Sequence, residues 1–221
     1  MELLQGIKLR KSIRAFKFTP IEKAIVEEII TAASNAPSYT NTQPWEITIV
    51  MGEQKKELAQ LLYATVKSKR KAQPDLPFPK MWPEEMRKRA SLHMRKRWEA
   101  AGIRSGDREA KRDQFLQNFL FFNAPVVIFI YMDNRLGPWS IFDLGLFVQN
   151  LILSAQGIGL STCIQAMPVG YPEIIKKYLG ISSSKKMVVA VALGYEDKKA
   201  PINRYRSTKK NLEEWVKWIG F

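Results

Sequence analysis

The apolar positions of this chain alternate between helical and extended periods. Val26, Ile29, Ile30 and Ala33 recur at i, i+3, i+4 and i+7, which predicts one buried stripe on a helix. Thr19-Pro20-Ile21-Glu22 reads as its capping box, with proline at the first helical position, and Asn35 and Pro37 end it. A β-branched run from Trp45 to Val50 predicts a strand, and Leu58, Leu61, Leu62, Thr65 and Val66 mark a second helix. Ala124 to Met132 is nearly continuous apolar sequence and suits a strand buried on both faces. Ile141 to Ala155 predicts a strongly apolar helix with its C-cap at Gly157. Cys163 to Ala166 reads as a short strand or turn, Pro172 to Leu179 as a short helix capped by Gly180, and Met187 to Tyr195 as another buried strand. Asn211-Leu-Glu-Glu214 opens a last helix with Leu212, Trp215, Val216 and Ile219 on one face. Long helices between strands predict an α+β fold, a sheet covered by helices, in a single domain spanning residues 1–221.

Between about Val66 and Gln114 the pattern changes. Pro74, Pro77, Pro79 and Pro83 are followed by a basic helical pattern through Met86, Ala90, Met94 and Trp98, and a further helix is expected to carry Phe115, Phe119 and Phe122 toward the core. The apolar residues are too sparse for a separate core, so the stretch reads as a helical insertion of roughly residues 66–114. It also concentrates charge. The chain of 221 residues has a formal net charge of +14, and Lys67 to Arg112 holds 15 basic and 6 acidic residues. Such a field attracts nucleic acid, anionic lipid or a charged cofactor or substrate alike. No DNA-reading motif is present in it, which sets a basic nucleic-acid-binding role behind the others. The Ala124–Met132 run is too short to span a bilayer, and the N-terminus lacks a secretory pattern, so no membrane association is expected. The single cysteine, Cys163, permits no intrachain disulfide and fits a reducing, cytoplasmic setting.

The sequence is poor in proton-transfer and nucleophilic groups. Its one histidine, His93, falls in the basic helical stretch and reads as a solvated or partly packed position; a zinc site would lack a second histidine or further cysteines. Cys163 reads as a small core residue. Gly157-Ile-Gly159 follows a helix instead of a strand and is not followed by a third glycine, which excludes a dinucleotide loop. No metal site and no catalytic side chain are expected. A bound cofactor can still carry the chemistry. Three segments then stand out. In Arg10-Lys-Ser-Ile-Arg14, an extended chain would turn residues 10, 12 and 14 to one side, two guanidinium groups around a hydroxyl, suited to a phosphate monoester. The loop carrying Ser38, Asn41 and Gln43 offers carboxamides able to meet the imide edge of a flavin. Asn203-Arg-Tyr-Arg206 offers a second pair of guanidinium groups.

The order and wording of these segments resemble the flavin-dependent nitroreductase family. Arg10-Lys-Ser-Ile-Arg14-Ala-Phe16 and Ala36-Pro-Ser-x-x-Asn41-x-Gln43-Pro-Trp45 open the likeness. Asn123-Ala-Pro125, Asp143-Leu-Gly-x-x-x-Gln149-Asn150-Leu, Gly157-Ile-Gly-Leu-Ser-Thr-Cys163, Ala192-Leu-Gly-Tyr195 and Asn203-x-x-Arg206 continue it. The resemblance implies an α+β nitroreductase-like fold with a mostly antiparallel sheet, and a homodimer holding FMN at the subunit interface. Arg10, Ser12 and Arg14 would hold the FMN phosphate, helped by Arg206 and Arg204. Ser38, Asn41 and Gln43 would reach the ribityl chain or ring from the partner subunit, and Ile164-Gln165-Ala166 would run beside flavin N5. Lys11 and Pro37 join Gln165 and Ala166 as further cofactor-binding candidates in these segments. The activity implied is hydride transfer from NADH or NADPH, then reduction of a nitroaromatic or quinone acceptor in ping-pong order. Trp139 and Phe142 are candidate pocket walls, with a core role for Phe142 as the alternative. The insertion, Trp82 through Arg97 with Asn118-Phe-x-x-Phe122, is similar to a branch associated with nitrobenzoate-type substrates. A non-catalytic FMN-binding redox sensor is the rival reading.

Overall fold

A computed structural model describes residues 2–220. Its sheet runs β1-β2-β4-β3, with β1 Glu46–Met51, β2 Val126–Asp133, β3 Ser161–Gln165 and β4 Lys185–Gly194, every neighbour antiparallel. The helices are α1 Leu3–Leu9, α2 Lys23–Ala33, α3 Gly52–Lys67, α4 Glu84–Ala100, α5 Arg108–Leu116, α6 Pro138–Gly157 and α7 Pro172–Leu179. The expected α+β sheet covered by helices is what forms.

The period of two along β2 builds both cores. Val126, Ile128, Ile130 and Met132 join Val26, Ile29 and Ala33 of α2 and Leu144, Phe147, Leu151 and Ala155 of α6. Val127 and Phe129 fall on the other face, with Leu58 and Leu62 of α3, Phe119, Phe121 and Ile175. A strand covered on both faces has no polar side to offer, which is why Ala124–Met132 reads as an unbroken apolar run. Ile128 lies opposite Ile49 of β1 and Val191 of β4, so the central strand is paired on both edges as well.

Several expectations need correction. The helix expected from Thr19 forms as α2 and starts at Lys23: Glu22 is its extended N-cap, and no side chain caps it. Ile21 is buried in the α2–α6 core, and seating it there keeps the chain extended one turn longer than the capping pattern suggests. α6 runs through Gly157, and Gly159 at φ 84° makes the left-handed turn while Leu160 N–H donates to Ala155 O at 2.9 Å. Gly180, at φ 68°, does cap α7. Phe119 and Phe122 enter the core, but Phe115 stays 43% exposed. The last helix does not form. The Asn211–Glu214 capping box is present, yet only the turn Leu212–Glu214 follows. Its apolar residues find no core within this chain, and an unpacked helix does not repay its nucleation cost.

The insertion also divides differently. Its proline-rich beginning packs back on the sheet domain: the Asp75 carboxylate accepts from Met187 N–H at 2.9 Å and pairs with Lys176 at 2.7 Å. Gln73 N–H donates to Gly170 O at 2.8 Å. Only α4 behaves as an excursion, for none of its side chains is buried. Leu151→Ala, in the core, is therefore expected to lower stability by about 2–5 kcal/mol in urea unfolding, whereas Met86→Ala on α4 should stay within about 0.5 kcal/mol. Comparable losses at the two positions would contradict this division.

Candidate functional site

After α1 the chain crosses the ends of β3 and β4 as an extended strap. Ile13 N–H donates to Thr162 O at 3.0 Å, and Lys17 N–H donates to Tyr195 O at 2.9 Å. Ile13 and Phe16 are buried beneath it. Phe16 sits so close to β4 that a Cβ on Gly194 would lie 2.9 Å from its ring and 2.7 Å from Pro125, so glycine is required there. The strap is then held from the C-terminal side by the buried Asn203. Its Oδ1 accepts from Arg14 N–H at 2.8 Å, and its Nδ2 donates to Ala15 O at 2.8 Å and to Asp197 O at 2.9 Å. Lys11 Nζ donates to Asn203 O at 2.5 Å and pairs with Glu196 at 2.9 Å.

These restraints place Arg10, Lys11, Ser12 and Arg14 on one cleft of about 290 Å³, with Arg206 and Lys209 facing them. Residues 10, 12 and 14 share the cleft as expected and Ile13 turns inward, but Lys11 lines it too, so the alternation is incomplete. No carboxylate lines it among the described residues. Arg14 donates to Ser12 O at 3.3 Å and Arg206 to Leu9 O at 3.2 Å, so both guanidinium groups are steered without being neutralised. Cations and a hydroxyl without a competing acid fit a phosphate monoester dianion. Arg204 is not part of this group; it lines a neighbouring cleft with Lys17, Tyr195 and Glu196.

The cleft holds residues that the sequence reading did not assign to it. His93 lines it, and its Nδ1 lies 2.8 Å from the Tyr205 hydroxyl. Burial, then Arg97, Arg14 and Lys209, push its pKa below the usual imidazole value. Arg97, on the same helix, does not line the cleft; it is half-buried, its Nε has no hydrogen-bond partner among the described residues, and its pKa is lowered by burial and then by Arg14. Tyr205 lies between Arg204 and Arg206 in a segment already suspect, but nothing in spacing brings residue 93 to residue 205. Cys163 is buried as expected, and burial raises its thiol pKa against the opposing pull of Arg14, Arg97 and Arg10.

Pro37, Ser38, Asn41 and Gln43 lie outside this cleft, in the loop between α2 and β1. The buried Asp143 of α6 fixes the loop by accepting from Tyr39 N–H at 3.2 Å. Ser38 Oγ accepts from Gln43 N–H at 2.9 Å, and Gln43 Nε2 donates to Asn41 Oδ1 at 3.2 Å. Thr40, Asn41 and Gln43 all adopt positive φ, from 46° to 60°, a backbone that costs energy in non-glycine residues, and Asn41 and Gln43 are exposed. Trp139 and Phe142 are exposed, at 68% and 60%, and Trp139 stacks on Tyr39 at 5.9 Å; a core role for Phe142 is excluded within this chain. At the end of β3, the Gln165 side chain is buried and donates to Asn118 O at 2.9 Å, while Ile164 and Ala166 are exposed. The Gln165 Oε1 is buried with no hydrogen-bond partner among the described residues.

Residues 7–195 match the model of the nitroreductase family. The chain is 34% identical to a 4-nitrobenzoate reductase of Pseudomonas putida, over 96% of this chain and 93% of that one. It is 31% identical to a nitrobenzene nitroreductase of Ectopseudomonas oleovorans, over 96% and 95%. Among solved structures, the FMN and NADPH-dependent nitroreductase NfnB from sphigopyxis sp. strain HMH superposes with a TM-score of 0.96 at 28% identity, covering 100% of both chains. The chain belongs to the nitroreductase family.

Asn203→Ala removes two part-buried hydrogen bonds to the strap and a third to Asp197 O, and is expected to cost about 2–4 kcal/mol in urea unfolding. A loss under about 0.5 kcal/mol would mean that the strap is held elsewhere.

Proposed function

We propose that this chain is an NAD(P)H-dependent FMN nitroreductase, acting as a homodimer on nitroaromatic acceptors. What supports it most is the carboxylate-free cleft that joins Arg10, Ser12, Arg14 and Arg206 in a member of this family whose relatives reduce nitrobenzoate and nitrobenzene. When bound, FMN supplies the two-electron redox chemistry that the side chains lack. Arg10, Lys11, Ser12, Arg14 and Arg206 hold its phosphate, and Arg204 adds charge from the adjoining cleft. Pro37, Ser38, Asn41 and Gln43 serve the flavin of the partner subunit, which accounts for a braced loop that faces away from its own cleft. The main chain at Gln165 and Ala166 lies along the ring.

Dimer formation accounts for the uncovered apolar surface. Leu3 and Leu4 of α1 and Trp215 and Ile219 of the tail are each more than 60% exposed, and a second copy covering them would remove that apolar area from water. In this reading the whole chain works as one domain with an insertion at about residues 66–114. The reduced nicotinamide and then the acceptor, a nitroaromatic or a quinone, occupy the same place in turn. The exposed aromatic rings Tyr39, Trp139 and Phe142 wall that place, and no proton-transferring side chain is needed. The setting is cytoplasmic; among the described residues no helix is long and apolar enough to cross a membrane.

Arg14→Ala is expected to weaken FMN about 10- to 100-fold, the value of a charge-assisted contact, while circular dichroism stays native. Unchanged flavin content would move the phosphate elsewhere. The surplus of basic charge on the insertion favours aromatic carboxylates over neutral nitroarenes. Raising salt to about 0.5 M should therefore lower kcat/KM for 4-nitrobenzoate several-fold and leave that for nitrobenzene nearly constant. Equal salt dependence of the two substrates would remove the charge argument.

A further inference from the structure

α4 is attached to the sheet domain by few means. None of its residues is fully buried; its main packing contact is with the turn Pro201–Arg204, and Lys111 of α5 lies over the Trp98 ring at 4.5 Å. Two of its residues, His93 and Arg97, are four positions apart and so share a helix face. The His93 and Tyr205 rings pack edge to face at 5.2 Å, with the hydroxyl 2.8 Å from Nδ1. When that hydroxyl donates to Nδ1, the imidazole proton resides on Nε2. His93 lines the same cleft as Arg10, Ser12 and Arg14. Arg97, one turn further along that face, does not itself line the cleft; it buries its Nε without a partner among the described residues, and its pKa is lowered first by burial and then by the charge of Arg14. A half-buried guanidinium set against further cations is costly by itself, and an anion between them relieves the cost.

We propose that α4 closes the phosphate end of the flavin site: His93, through Nε2–H, and Arg97, through its guanidinium, bind the FMN phosphate, and the phosphate fastens this helix to the sheet. The proposal deepens the function argued above and rests on it, because the Arg10–Arg14 strap is what brings the phosphate there. A neutral imidazole is sufficient. Burial together with Arg97, Arg14 and Lys209 favours the neutral ring, and with Nδ1 accepting from Tyr205 that ring still donates from Nε2.

FMN and riboflavin differ by the phosphate alone, so their affinities, read by flavin fluorescence, isolate it. His93→Phe keeps a ring against Tyr205 and Arg97→Met keeps the aliphatic stem, so each removes the donors with little loss of packing. Each is expected to lower the preference for FMN over riboflavin about 5- to 20-fold, with riboflavin affinity unchanged. In the wild-type chain, FMN but not riboflavin should slow hydrogen exchange across residues 84–100. An unchanged preference in either variant, or equal protection by the two flavins, overturns the proposal. Arg14→Ala separates the two levels of argument. If it lowers the preference while the α4 variants do not, the phosphate site stands and α4 has no part in it. If it too leaves the preference unchanged, the phosphate site itself is misplaced and the α4 proposal falls with it.

Discussion

The candidate site depends on one carboxamide. Asn203 is buried where two distant stretches of chain cross, and it serves three main-chain groups at once: Arg14 N–H, Ala15 O and Asp197 O. A side chain with both a donor and an acceptor is needed for this, and no apolar residue could replace it. The consequence is geometric. The strap that carries Arg10, Ser12 and Arg14 is locked against the segment that carries Tyr205 and Arg206, so cations separated by almost two hundred positions face a common space. Gly194 completes the arrangement by letting Phe16 lie against β4.

Holding those cations together without a carboxylate in the cleft lowers the stability of the empty site. Lys11 has Glu196 as a partner, but Arg14 and Arg206 are satisfied by main-chain carbonyls and keep their charge for something else. A ligand that binds only the folded chain returns that stability through mass action. An anionic cofactor is then a structural element as well as a reagent; the pKa of His93 is lowered first by burial and then by the same unneutralised cations.

Much of this was legible in the sequence, for reasons that can be stated. Period-two and period-3.6 patterns are recorded wherever a residue's environment is set by its own element, which is why the strands and α2, α3, α6 and α7 are found close to where expected. The alternation at residues 10, 12 and 14 is of the same kind, since neighbours along an extended strand must point to opposite sides. His93 and Arg97 were invisible because their environment is set by a segment more than a hundred positions away. Thr19 misled because a capping pattern states what a helix end would accept, while the burial of Ile21 decided where the helix begins.

The failed last helix is the informative error. Leu212, Trp215, Val216 and Ile219 have helical spacing, and the capping box does form, yet the chain stops after one turn. Amphipathic spacing shows that a segment is made to lie on an apolar surface; it does not say whose. The sheet of this chain is already covered on both faces by α2, α3, α6 and α7, so its own core has no face left to give. The same reasoning applies to α1, with Leu3, Leu4 and Ile7 exposed. Elements that the sequence patterns correctly but the single chain leaves unsatisfied are those whose complement lies outside it. In a chain whose own side chains supply so little chemistry, the cofactor and, on the proposed reading, a second copy complete what the polypeptide only half encodes.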